Sequence, residues 1–199
     1  MILIGYMGSG KSTLGCAVSY PLQQCLIDTD KWIEQKEGMT VSEIFAVHGE
    51  AYFRQKETEC LETMLLEKEP RVLALGGGTP LLEENRRLMK QLGFTVYLQA
   101  QAETIYDRLK EDTTRPLLQC DNPRAKIEQM IGERDPIYRQ AADYILQVDD
   151  WDIKRLVREL QEAYRAVKNR NDGFCQPGGT FYSKTEEENE AAGDQRAQS

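Results

Sequence analysis

The sequence predicts an α/β protein whose mostly parallel sheet is covered by helices on both faces. Three observations predict it: short apolar runs, longer stretches of helical periodicity, and the alternation of the two along most of the 199 residues. In such a sheet, ligands bind above the carboxyl ends of the strands.

The elements follow in order. Residues 1–4 are apolar and read as a strand, the glycine-rich residues 5–10 as its loop, and 11–20 as a helix. Residues 25–27 form a second strand, and roughly 31–68 is helical in pieces. A third strand at 72–75 precedes a helix at 81–91, a fourth at 94–98 precedes a helix at 101–110, and a fifth at 144–148 sits between helices at 123–141 and 152–168. Residues 111–122 are polar, contain Thr113-Thr114-Arg115-Pro116 and interrupt two helices, which makes them a candidate lid. No internal repeat is visible.

The organisation expected is one domain over 1–169 and an acidic tail over 170–199. Half of the net charge of −8 lies in residues 171–199, which hold 6 acidic and 2 basic side chains and lack Leu, Ile, Val and Met. Such a segment buries too little apolar surface to offset the entropy of ordering, so disorder is expected there. Apolar residues make up 40% and charged residues 29% of the chain, ordinary globular values. The apolar runs are far shorter than a membrane span, and the amino terminus does not read as an export signal, so a soluble cytoplasmic protein is expected. The negative charge disfavours nucleic-acid and anionic-membrane partners. Five widely spaced cysteines with a single histidine read as reduced thiols, not as a disulfide framework or zinc site.

Gly5-Tyr6-Met7-Gly8-Ser9-Gly10-Lys11-Ser12 matches G-x-x-x-x-G-K-[ST] between a strand and a helix. Gly8 and Gly10 let backbone N–H groups turn around phosphate oxygens, and the positive end of the following helix adds to the attraction. Lys11 is expected to reach the β- and γ-phosphates of ATP, and the Ser12 hydroxyl to ligate Mg²⁺. At the end of the second strand, Asp28 and Asp30 alternate onto one side, where one acid can support the metal and the other accept a proton or hydrogen bond from an attacking hydroxyl. Asp30 is also a candidate cap for a helix starting at Lys31.

Arg54, Arg115 and Arg134 lie in separate segments. A carboxylate-bearing acceptor gives a reason to gather them, because guanidinium pairs with carboxylate through two parallel hydrogen bonds. Each has a plainer reading: Arg54 as a surface partner of Glu50, Arg134 as one of a solvated ion pair, Arg115 as an exposed loop residue. Gly76-Gly77-Gly78 ends the third strand and permits close backbone approach to a ligand.

Taken together, these residues resemble the shikimate kinase family, over 1 to about 168. The resemblance rests on the phosphate loop through Thr13, Asp28-Thr29-Asp30, Phe53-Arg54, the glycine triplet, Arg115-Pro116-Leu117-Leu118, and Arg134 through Tyr138. It implies a P-loop three-layer α/β/α fold with a five-stranded parallel sheet of order 2-3-1-4-5, a lid at about 111–122 and a substrate-binding helical region at about 31–60. It also implies transfer of the ATP γ-phosphoryl group to the 3-hydroxyl of shikimate by a monomer. Gly8, Ser9, Gly10, Lys11, Ser12 and Thr13 would then hold the nucleotide with Arg108 and Arg115, Arg108 packing on adenine and Arg115 closing onto the phosphates. Ser12 and Asp28 would serve Mg²⁺, and Asp30, Arg54, Gly76, Gly77, Gly78 and Arg134 the shikimate; Lys11, Asp30 and Arg115 would be catalytic. Cys16 departs from a commonly basic family position, and Pro21 stands near the end of the first helix.

Three further groups read as structural: His48 as a helix-end surface residue, Trp32 and Trp151 as packing at helix starts, and Glu57, Glu59 and Glu62 as a solvated helix face. The competing readings are another small-metabolite kinase, for gluconate or a nucleoside monophosphate, and a non-catalytic nucleotide-binding regulator.

Overall fold

The computed structural model describes residues 1–110 and 122–172. The chain divides into two units, Met1–Val167 and Lys168–Ser199. Of the second, only residues 168–172 are described, as the end of a helix, so the expected tail lies outside the described residues beyond Asp172, as does the expected lid apart from Asn122.

Five parallel strands form one sheet: β1 (Ile2–Ile4), β2 (Cys25–Asp28), β3 (Arg71–Ala74), β4 (Thr95–Gln99) and β5 (Tyr144–Gln147), in the order β2-β3-β1-β4-β5. The expected order is the observed one. β1 lies at the centre, with Ile2 opposite Leu73 on one side and Thr95 on the other. It is buried along its whole length, as is β3, whereas the edge strands β2 and β5 are partly exposed. The central strand β1 is accordingly apolar throughout, whereas the edge strands carry polar residues such as Asp28 and Gln147.

The helices are α1 (Lys11–Leu22), α2 (Thr29–Glu37), α3 (Val41–Glu67), α4 (Glu83–Leu92), α5 (Ala102–Leu109), α6 (Pro123–Ala141) and α7 (Ile153–Asp172), with a 3₁₀ turn at Thr79–Leu81. Pro21 is accommodated inside α1, one residue before its end. α3 starts with a reciprocal cap between Thr40 and Glu43 and kinks at Gly49, whose φ of 81° suits glycine. The main core packs around the sheet. Ile33, Ile44 and Phe53 form a separate small cluster with Trp32, Met39, Val41 and Tyr52, so α2 and the first part of α3 carry apolar packing of their own.

Among the described residues no helix is long and apolar enough to cross a membrane. Cys16, Cys25 and Cys60 are free thiols, and burial pushes Cys60 up to about 12, so that it stays protonated; Cys120 and Cys175 lie outside the described residues.

Candidate active site

The loop from Gly5 to Gly10 runs from the end of β1 into α1. Gly8 and Gly10 have φ of 76° and 91°, the left-handed turns the motif requires, and Gly10 caps α1 without a side chain, which leaves the first-turn N–H groups of a helix free of acidic residues in that turn. Lys11 folds over the loop, its Nζ donating to the carbonyls of Gly5 (2.9 Å) and Tyr6 (3.0 Å). Ser9 is fully buried, and its hydroxyl has no hydrogen-bond partner among the described residues. Thr13 lies on the exposed side of the first turn of α1. A glycine turn leading into a helix N-terminus, with a lysine folded over it, fits an anionic triphosphate.

Ser12 Oγ donates to Asp28 Oδ2 at 2.5 Å. A hydroxyl and a carboxylate, both hard oxygen donors, fit Mg²⁺, which takes few protein ligands and completes its shell with phosphate and water. Asp28 also caps α2, accepting from the Lys31 N–H, and the helix begins at Thr29. This corrects the reading of Asp30 as the cap: Asp30 stands within the first turn of α2, its carboxylate turned to the glycine triplet. Thr29 holds this junction in place, donating to the Ala74 carbonyl at 3.3 Å and accepting from the Gly76 N–H at 3.0 Å.

The glycine triplet is where the separate stretches of chain meet. A β-carbon built at Gly76 would lie 2.6 Å from both Asp30 Oδ1 and Glu57 Oε1, and one at Gly78 would fall inside the Arg54 guanidinium. One at Gly77 would be 3.5 Å from the Gly5 carbonyl and 3.7 Å from the Met7 nitrogen, which puts the triplet directly beside the phosphate loop. Tyr138, buried on α6, donates to the Gly77 carbonyl at 2.6 Å, and Arg134, one turn earlier, lies over the Tyr6 ring at 5.7 Å. Asp30, Arg54 and Arg134 are therefore gathered around the mouth of the loop. Arg115 lies outside the described residues.

Arg54 does pair with Glu50, as the plain reading has it, but it also donates to Glu57 Oε2 at 2.6 Å. Glu57 is only 1% exposed and accepts from Thr79 Oγ1 at 2.5 Å, which overturns its assignment to a solvated helix face. Burial raises the Glu57 carboxyl above the ordinary range even though Arg54 and Thr79 stabilise its charge. Burial works against the Arg54 charge, but Glu57 and Glu50 together outweigh it and hold the guanidinium charged. His48 is exposed and stacks on Tyr52, as a surface residue would.

Arg108, at the end of α5, donates to the carbonyls of Gly8 (3.3 Å) and Val148 (2.6 Å), and its guanidinium lies over Trp151. Trp151, just before α7, packs at a helix start as expected, and that start is the Gly10 cap of α1, with Arg108 over its ring. The places of Glu57, Thr79 and Trp151 escape a reading of motifs, since only the folded chain brings them to the loop and the triplet.

Comparison with known proteins agrees with this arrangement. The family model described as Shikimate kinase matches residues 7–165. A shikimate kinase of Methylococcus capsulatus is 42% identical over 170 residues, which cover 85% of this chain and 94% of that protein. The structure of shikimate kinase from Acinetobacter baumannii in complex with shikimate superposes with a TM-score of 0.78 at 35% identity, over 84% of this chain and 93% of that one. The shikimate kinase of Bacteroides thetaiotaomicron gives a TM-score of 0.75 at 36% identity, over 82% and 97% of the respective chains.

Proposed function

The chain belongs to the shikimate kinase family, and on that premise we propose that it transfers the γ-phosphoryl group of ATP to the 3-hydroxyl of shikimate, giving shikimate 3-phosphate and ADP in aromatic amino-acid biosynthesis. The observation that carries this reading is the meeting of Asp30, Arg54 and the phosphate loop on one glycine triplet, which joins an anion-binding pocket to a triphosphate cradle.

In this reaction the loop N–H groups and Lys11 hold the β- and γ-phosphates. Ser12 and Asp28 would hold Mg²⁺, whose charge offsets that of the phosphates. Asp30 orients the shikimate hydroxyl and accepts its proton as the oxygen attacks phosphorus. Arg54 and Arg134 bind the carboxylate, with Gly76, Gly77 and Gly78 forming the wall between them. Arg108 serves the base. Arg115, in the segment 111–122 that we assign as the lid, stabilises charge on the transferring group. We place the enzyme in the cytoplasm as a monomer, with 1–169 as its catalytic domain.

A Mg²⁺-ATP assay across acceptors tests the reading. ADP release is expected with shikimate and not with gluconate or nucleoside monophosphates; ATP binding without shikimate-stimulated turnover would refute it. Asp30→Asn should lower kcat by about 10²-fold or more while sparing ATP affinity, and equal loss of both would refute the role of Asp30.

A further inference from the structure

The glycine triplet is closed by a turn that has little stability of its own. Thr79–Leu81 is a single 3₁₀ turn, a geometry with poor hydrogen bonds, and α4 behind it has Leu82 at its start with no side-chain cap. Even so, the turn fixes both ends of the triplet: the Thr79 N–H donates to the Gly76 carbonyl at 3.1 Å, and the Leu81 N–H to the Gly78 carbonyl at 3.0 Å.

Two consecutive residues of α4 reach back and take up all three carbonyls of the turn. Asn85 Nδ2 donates to Thr79 at 2.9 Å, and Arg86 Nη1 to Pro80 at 2.7 Å and Leu81 at 3.0 Å. Asn85 is completely buried. The other end of its amide faces α3, where Thr58 Oγ1 donates to Oδ1 at 2.8 Å. The Thr79 hydroxyl donates to Glu57 Oε1, and Glu57 Oε2 accepts from Arg54. Glu57 and Thr58 are neighbours on α3, so the amide closes a ring through the turn and back along that helix.

Resting on the reading of the triplet and Arg54 as the acceptor site, we infer that Asn85 is a positioning residue for the acceptor. Without touching it, Asn85 fixes Thr79, and through Thr79 both the triplet and the Glu57 carboxylate that holds Arg54. An apolar side chain would fill the same space without the cost of burying an amide, which is offset only when both ends find partners. What the amide adds is a donor to the turn and an acceptor to the helix at one fixed separation. A shift of the turn would move Glu57 and Gly78 together, and Arg54 packs against both.

Hydrogen exchange in Asn85→Ala tests the first link without any ligand. Amides of residues 76–81 should exchange about tenfold faster, the effect of one lost buried hydrogen bond, while those of the phosphate loop, 5–12, keep their rates. Unchanged rates at 76–81, or an equal acceleration in both segments, would overturn the proposal. Kinetics test the second link. The KM for shikimate should rise about tenfold with the KM for ATP unchanged, and most of that rise should vanish in an Arg54→Lys background, because Asn85 acts through Arg54. An equal rise in both backgrounds, or equal loss of both substrates, would assign Asn85 to stability alone and overturn its positioning role. Should Asn85→Ala fail to fold, Thr58→Val unties the amide from α3 and should move exchange at 76–81 and the KM for shikimate in the same directions; no change in either would overturn the proposal. Wild-type protein that does not turn over shikimate would count against the proposed reaction, while the exchange experiment would still decide the role of Asn85.

Discussion

The Arg54 guanidinium occupies the space in which Gly78 would carry a side chain: a β-carbon there would lie 2.0 Å from Nη1 and 2.2 Å from Cζ. Gly78 has φ −92° and ψ −19°, a conformation open to any residue, so the need for glycine is steric and not conformational. In Gly78→Ala the flexible end of Arg54 yields before the backbone does. The KM for shikimate should rise about tenfold or more, the loss expected for a charge-assisted hydrogen bond. Thermal melts and ATP affinity should change little. An unchanged KM for shikimate would show that the position of Arg54 does not matter to the acceptor.

Glu57 gives a dependence on pH with a definite sign. Its carboxyl is raised above the ordinary value of 4.5 by burial, so between that value and the folded one the native state holds a proton that the unfolded chain has lost. Its contribution to stability is full below that window and is lost as pH rises through it. Glu57→Gln cannot titrate, and the stability of the wild type relative to this variant should fall with rising pH above about 4.5. Chemical denaturation across that range measures it, and a difference that grows with pH would contradict the burial argument. At neutral pH the variant also loses the ion pair with Arg54, so its KM for shikimate should rise.

Asp28 has two duties that substitution can separate. Asparagine caps a helix about as well as aspartate but is neutral. Asp28→Asn should therefore keep the melting temperature while raising the Mg²⁺ concentration required for half-maximal turnover. Asp28→Ala should raise the Mg²⁺ requirement as well and lose the cap, at a stability cost of about 1 kcal/mol. If Asp28→Asn leaves the Mg²⁺ dependence unchanged, the carboxylate is a cap alone.

Tyr138 and Tyr97 make a matched pair, both buried, their rings 5.1 Å apart. The Tyr138 hydroxyl donates to the Gly77 carbonyl, that of Tyr97 to Asp135. Tyr138→Phe removes a buried hydrogen bond and should cost about 1–3 kcal/mol, whereas Tyr97→Phe should cost about 1 kcal/mol, since Asp135 still accepts from Gln99 and Arg139. Only Tyr138→Phe should raise the KM for shikimate, because only it releases the glycine triplet. Equal kinetic effects in the two variants would assign both hydroxyls to stability.

The strands and the loop were legible in the sequence because each is a local pattern, an apolar run or a spacing of glycines and a lysine. So was the convergence on the triplet, since Asp30 and Gly76 follow adjacent strands of a parallel sheet. Glu57 was not: a glutamate flanked by polar residues on a helix looks solvated, and only the packing of α3 against Thr79 and Gly76 buries it. The cap of α2 was misread by two residues because Asp28 and Asp30 are equally good caps by residue type, and the end of β2 decided between them. That Trp151 packs on the start of α1 was not legible, because its partner Gly10 is more than a hundred residues away.

The central position of β1 bears on how the protein is made. Its pairing partners begin at Leu73 and Thr95, so a ribosome must extrude more than seventy residues before β1 has its first neighbour and over ninety before it has both. The loop hung from β1 therefore acquires its shape late in synthesis, after α1 to α3 have already emerged. A nascent chain stalled before β4 should be unable to retain ATP, although its whole glycine-lysine motif has long since left the tunnel.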